Sequence, residues 1–311
     1  VDEIVHRPGL LNEVIEAMQP KRGETFVDFT LGGAGHFSAF LPHLEPTGLA
    51  IGLDRDEFAV QRAEGLKETW PECRVILRQA RFSDAEEVLQ SLGVEGFDLA
   101  LFDLGVSAFQ VDDPDRGFSF MADGPLEMQM GSDTKTAMEI VNGSSERELV
   151  QMISTYGEER FARRIANAIV RRRAKQPIRT TLELVDTVDR AVPASQRRNL
   201  NAIRARVFQS IRIVTNDEMD ELQGGLITAI RHLLIGGRMG VISWQSLEDR
   251  TVKRTFKFYA PNGEANEEWE LIPATKKPVR PSPEEVAQNK RARSAKLRVV
   301  TKTLRGALNG S

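Results

Sequence analysis

"ETFVDFTLGGAGHFS", residues 24–38, decides the fold. Residues 24–30 read as a strand rich in β-branched and aromatic side chains, and they run straight into a glycine turn at Gly32, Gly33 and Gly35. The first 110 residues repeat that theme. "GLAIGLD", "RVILRQ" and "FDLALFD" read as three further strands, and "DEFAVQRAEGLKETW" and "SDAEEVLQSLG" read as helices between them. Short apolar strands alternating with helices predict βαβ units and a parallel sheet.

The alternation stops after the fourth strand. Residues 134–232 carry helical periods and no strand pattern. Phe161, Ile165 and Ile169 are spaced four apart, and Thr181 is the expected N-cap of the helix in "TLELVDTVDRAV". Met219, Leu222, Leu226, Ile230 and Leu233 keep helical spacing after Asp217. "GGRMGVISW" at 236–244 restores a strand, and "AKLRVVTKT" is the expected last one. Five of the fourteen prolines fall within 261–283, which predicts an irregular segment there. The reading is an α/β sheet of residues 1–111 and 218–311, interrupted by a helical domain at 112–217.

A chain of 311 residues with 41% hydrophobic and 28% charged residues has material for one large or two ordinary cores. The lone cysteine, Cys73, excludes an internal disulfide framework and a cysteine-rich zinc site, and it fits a reducing, cytoplasmic setting. The histidines at 6, 36, 43 and 232 have no metal-ligand spacing, so no metal is expected. The first residues show no basic segment leading into an apolar one, so no secretory signal is expected. The chain does not begin with Met, so its natural start can lie upstream. No apolar run approaches a membrane span. The net charge of −3 hides three stretches free of acids: eight Lys/Arg in 160–179, five in 197–212 and seven in 290–305. Such clusters suit a polyanion, or else solvated helix faces and, for 171–173, a helix C-terminus.

Ligands of open α/β sheets sit beyond the carboxyl ends of the strands. There the glycine turn lets the backbone approach a ligand, and Asp54, 19 residues past Gly35, is placed to accept hydrogen bonds from ribose hydroxyls. The turn lacks the G-x-G-x-x-G spacing of a dinucleotide site. A nucleoside without phosphates, such as S-adenosylmethionine, asks for less, and Phe82 after the third strand is placed to line an adenine slot. Taken singly, Asp54 could be a helix cap and Phe82 core. Asp103 ends the fourth strand beside the same crevice, and Gly105 permits a turn after it. An acceptor there can orient an amine for methyl transfer.

These residues resemble the bacterial 16S rRNA cytosine-N4 methyltransferases of the MraW type. The resemblance runs through "HRPGLL" (6–11), "DFTLGGAGH" (28–36), "GLDRD" (52–56) and "DLGVSAFQVDDPDRGFSF" (103–120). It continues through "TAMEIVN" (136–142), "YGEERFARRIANAIVRRR" (156–173), "FQSIRIVTNDE" (208–218), "SWQSLEDRTVKR" (243–254) and "NKRARSAKLRVV" (289–300). It implies a Rossmann-like S-adenosylmethionine-dependent methyltransferase sheet with an inserted all-helical domain. It implies cofactor contacts from Ala34, Gly35, His36, Asp54, Phe82, Asp103 and Gln110, with Asp103 also the catalytic acceptor. Arg116, Arg164, Arg171, Arg172, Arg250, Arg291 and Arg293 are the expected RNA contacts. The implied partner is 16S rRNA or the small ribosomal subunit, with a homodimer as a further possibility. Gln129, Gln245 and Ala34 stand where the family usually has Arg, His and Gly. Two rival readings stay open: an rRNA-binding or assembly protein without catalysis (or a methyltransferase with another acceptor), and a nicotinamide-dependent dehydrogenase.

Overall fold

The structure, a computed structural model, describes residues 8–265 and 267–306. His6 and the start of the "HRPGLL" motif lie outside them. The chain forms two compact units, Val1–Gly105 with Asp220–Ser311 and Val106–Met219 between them.

The first unit is built on a seven-stranded sheet. Its strands are β1 (Thr25–Asp28), β2 (Leu49–Asp54), β3 (Arg74–Gln79), β4 (Phe97–Asp103), β5 (Leu233–Ser243), β6 (Trp269–Pro273) and β7 (Lys296–Leu304). They lie in the order β3-β2-β1-β4-β5-β7-β6. The first five strands are parallel, and β7 pairs antiparallel with both β5 and β6. This is the α/β, Rossmann-like class of sheet expected. Central strands buried on both faces need continuous apolar runs. Accordingly Ala50 and Ile51 of β2 and Leu99 through Phe102 of β4 are sealed from solvent.

The chain leaves β1 toward β2 and β3 on one side, then crosses to β4 on the other. The carboxyl ends of β1 and β4 therefore flank the switch point of the topology. Phe26 stacks on Phe40 under one face of the sheet, and Phe29 stacks on Phe102 on the other, with centroids 4.2 and 4.3 Å apart. Arg238 of β5 braces the amino end by donating to the Met18 carbonyl and to both oxygens of Glu24.

Several local expectations need correction. The proline-rich segment contains a strand, β6. It occupies the sheet edge and pairs only with β7, so Pro273 removes no needed ladder bond. The helix expected over 56–70 divides into Glu57–Ala63 and Leu66–Thr69, around Gly65. The helix Leu11–Met18 was not foreseen. The N-cap of Thr181–Ala191 is Thr180, not Thr181: Thr180 and Glu183 form a capping box, while the buried Thr181 hydroxyl donates to the Ala122 carbonyl at 2.7 Å.

The second unit is helical, and its core gathers Leu149, Ile153, Ile165, Ile169, Leu184, Val188, Val207 and Ile211. Asn216 ties its loop 128–130 to the helix Leu200–Thr215, accepting from the Met130 N–H and donating to the Met128 and Arg212 carbonyls. Among the described residues, no helix is long and apolar enough to cross a membrane.

Candidate active site

Three adjacent parallel strands each deliver an aspartate at the carboxyl end: Asp28 from β1, Asp54 from β2 and Asp103 from β4. The turn after β1 enters the helix Gly35–Leu44 through Ala34, whose φ of 58° lies in the left-handed region. A Cβ on Gly35 would sit 2.3 Å from Pro8 Cγ, so only glycine lets the helix start this close to the amino-terminal segment.

Asp54 is held by backbone. Its Oδ2 accepts from the Gly32 N–H at 2.7 Å and its Oδ1 from the Asp56 N–H at 2.8 Å. Burial pushes its carboxyl up to about 6, against the pull of those two donors. Each oxygen keeps a second lone pair, so two hydroxyl donors would offset part of its desolvation. The helix cap is Asp56 instead, accepting from the Phe58 N–H.

Asp103 sits in a polar cluster. Its Oδ1 accepts from Trp244 Nε1–H at 3.0 Å, and its Oδ2 lies 3.3 Å from His36 Nδ1. Its backbone N–H donates to Thr30 Oγ1, and that hydroxyl donates to Asp28 Oδ1 at 3.2 Å. Asp28 is 1% exposed, and burial pushes its carboxyl up to about 7 despite the Thr30 hydrogen bonds. Gly105 has φ 94° and faces the Trp244 ring, so the chain turns there beneath the indole.

Phe82 packs edge to face on Phe102, centroids 5.4 Å apart, and also meets Phe29. Its loop is pinned to the helix Glu218–His232, where Glu221 accepts from the Ser83 N–H and hydroxyl, and Gly225 leaves room for the Phe82 Cβ. The first unit thus brings together Ala34, Gly35, His36, Asp54, Phe82 and Asp103 around its switch point. Gln110 belongs to the second unit, where it forms a capping box with Ser107.

Asp28 and Trp244 were not foreseen as site residues. Asp28 had a signal: "FVD", "GLD" and "LFD" all end a strand in the same acid. Trp244 had none, because it reaches Asp103 across 141 residues of sequence.

The "SLEDR" segment is largely structural. Glu248 accepts from the Trp244 and Gln245 backbone N–H groups, opening the helix Ser246–Phe258 and seating Trp244. Asp249 pairs with Lys296 and Arg298. Burial alone would raise its carboxyl, but those two cations hold it below the usual range. The expected RNA residues separate by environment. Arg164 and Arg171 are exposed on the helix Ala162–Arg173, whose opposite face buries Ile165 and Ile169. Arg172 instead pairs with Glu183 and bonds to Gln176, and Arg173 donates to the Val141 and Ser144 carbonyls at the end of the helix Ala137–Gly143. Arg116 donates to the Gln129 carbonyl and lies over Phe118. The Gln129 side chain donates to the Thr134 carbonyl. Arg250, Arg291 and Arg293 are exposed on the first unit.

A glycine turn, an acid ending β2 and an acceptor ending β4 stand at the switch point, where open α/β domains take their ligands. The chain belongs to the MraW methylase family, whose model matches residues 3–303. A ribosomal RNA small subunit methyltransferase H of Carboxydothermus hydrogenoformans is 44% identical over 310 residues, covering 96% of this chain and 98% of that protein. One of Geobacter sulfurreducens is 43% identical over 307 residues, covering 96% and 98%.

Proposed function

We propose that this protein is an S-adenosylmethionine-dependent methyltransferase acting on the exocyclic N4 of a cytidine in small-subunit (16S) rRNA. The observation that carries the reading is Asp103, held at the carboxyl end of β4 between His36 and Trp244 and beside the glycine turn. The donor set fits the cofactor. Asp54 has lone pairs for the two ribose hydroxyls, the turn through Ala34 and Gly35 admits close approach, and Phe82 offers an apolar wall. The family resemblance adds Gln110. When bound, the cofactor supplies an electrophilic methyl group on a sulfonium.

The chain's own contribution is orientation. An exocyclic base amine is a poor nucleophile because its lone pair is delocalised into the ring. An acceptor on one N–H draws that lone pair back onto nitrogen and fixes its direction. Asp103 is that acceptor. The base must leave its stack to reach it. Arg164 and Arg171, with Arg160 and Arg163 beside them, offer an exposed basic stripe for the phosphate backbone. Arg250, Arg291 and Arg293 extend basic character to the first unit.

The test is methyl transfer from labelled cofactor to small subunits taken from cells lacking the protein, followed by digestion to nucleosides. N4-methylated cytidine is expected with the wild type and lost with Asp103→Ala even at cofactor concentrations that saturate the variant. Label on a different nucleoside moves the acceptor. No label despite cofactor and RNA binding replaces the enzyme reading with an rRNA-binding one.

A further inference from the structure

We infer that His36 carries a proton on each ring nitrogen at neutral pH, and that this imidazolium is a positioning residue for Asp103. Each ring nitrogen of His36 faces an acceptor. Nε2 lies 3.0 Å from the Gly9 carbonyl oxygen, which can only accept. Nδ1 lies 3.3 Å from Asp103 Oδ2, whose carboxylate also only accepts. The ring is 5% exposed, so water does not mediate freely.

Either one-proton form sets two acceptors against each other. With the proton on Nε2, the Nδ1 lone pair points at the carboxylate. With the proton on Nδ1, the Nε2 lone pair points at the carbonyl. Turning the ring over would put carbons opposite both. Unpaired buried polar groups each cost about 1–3 kcal/mol, so the doubly protonated ring, which satisfies both contacts, is the form the site selects. A proton shared along the Nδ1–Oδ2 contact rests on the imidazole, the more basic group type by about 2.5 pH units.

The charges facing His36 agree. Asp103 approaches from β4 and Asp28 from β1, while the Gly9 segment presents a carbonyl. Burial alone would make the ring shed a proton. The hydrogen bond to Asp103, the charges of Asp103 and Asp28 and the Gly9 carbonyl together outweigh it and raise His36 above the ordinary histidine value. Both oxygens of Asp103 then accept from fixed N–H donors, Trp244 on one side and His36 on the other. A carboxylate anchored at both oxygens keeps one orientation, which an acceptor aligned on a substrate amine requires. That consequence rests on the function proposed above. The protonation state does not.

The deciding measurement is a long-range proton–nitrogen spectrum of the full chain labelled with ¹⁵N in its four histidine rings. His36 is assigned by the signals lost in His36→Gln. At pH 7.5 an ordinary imidazole is about nine-tenths neutral. Both His36 nitrogens are expected in the protonated range at that pH. Asp103→Asn should lower the His36 titration midpoint by at least about one pH unit, a tenfold change in proton affinity. A single-proton ring at pH 7.5 in the wild type overturns the inference even if the variant fails to fold. An unmoved midpoint in Asp103→Asn overturns the pairing. No RNA or methyl transfer enters the readout, so a protein that methylates nothing can pass this test and an active one can fail it.

Discussion

Asp28→Asn converts the buried end of β1 into a test of the site's electrostatics. The substitution keeps the shape and leaves an oxygen for the Thr30 N–H and hydroxyl, which bond Asp28 Oδ1 at 2.9 and 3.2 Å. It removes the ability to ionise. In the native chain burial pushes this carboxyl from 3.8 up to about 7. The folded state therefore holds a proton that the unfolded chain has released. Stability from that proton is complete below pH 3.8, is lost as pH rises through about 7, and is absent above it. Carrying the carboxyl from 3.8 to about 7 corresponds to roughly 4 kcal/mol over the whole window, of which roughly 3 kcal/mol falls between pH 5 and pH 8. The variant lacks this loss. Its stability relative to wild type should rise by up to that amount from pH 5 to pH 8. Trp70, Trp244 and Trp269, the three tryptophans of the chain, all lie in the sheet unit, so urea unfolding followed by tryptophan fluorescence reports that unit by itself. A wild-type-to-variant difference that stays within about 0.5 kcal/mol across that range, well inside the usual scatter of single substitutions, would refute the reasoning.

Ala34→Gly should stabilise the sheet unit by about 1 kcal/mol, because Ala34 pays for a left-handed backbone that glycine adopts freely; an unchanged urea midpoint would show that the turn carries no strain. Gly225→Ala should destabilise by about 1–3 kcal/mol although alanine is the better helix former, since the new Cβ would meet Phe82 Cβ at 2.6 Å; a more stable variant would mean that the Phe82 loop yields. In the second unit, Arg206→Ala leaves the buried Glu159 carboxylate without its guanidinium partner, at a cost of about 3–5 kcal/mol that circular dichroism would register. A small loss there would show that water reaches Glu159. Arg164→Glu with Arg171→Glu should weaken rRNA-fragment binding and flatten its salt dependence by about two in log–log slope, leaving cofactor affinity alone; an unaltered slope removes this helix face from the RNA path.

The sheet was legible because its information is local. Each of β1 to β4 announces itself as a short apolar run ended by an aspartate or a turn, and burial on both faces demands such runs. The helical interruption was legible for the same reason: Phe161, Ile165 and Ile169 repeat at the helical period. β6 was hidden because five prolines punctuate its surroundings and its pairing exists only through β7, more than twenty residues further on. The glycine turn, Asp54 and Asp103 were readable as a nucleoside-type site, since an acid after a strand and glycines after its neighbour have a position-specific meaning in an open α/β sheet. The class of fold and the acids that end its strands were therefore readable from the order of residues alone. What surrounds those acids was decided only by tertiary structure. Trp244 meets Asp103, and the Gly9 carbonyl meets His36, because the sheet order brings β5 beside β4 and the amino-terminal segment against the first helix of the turn. Hydrogen bonds and burial of that kind depend on through-space distance. They set the proton on His36 and the proton-holding carboxyl of Asp28, and a one-dimensional pattern carries neither.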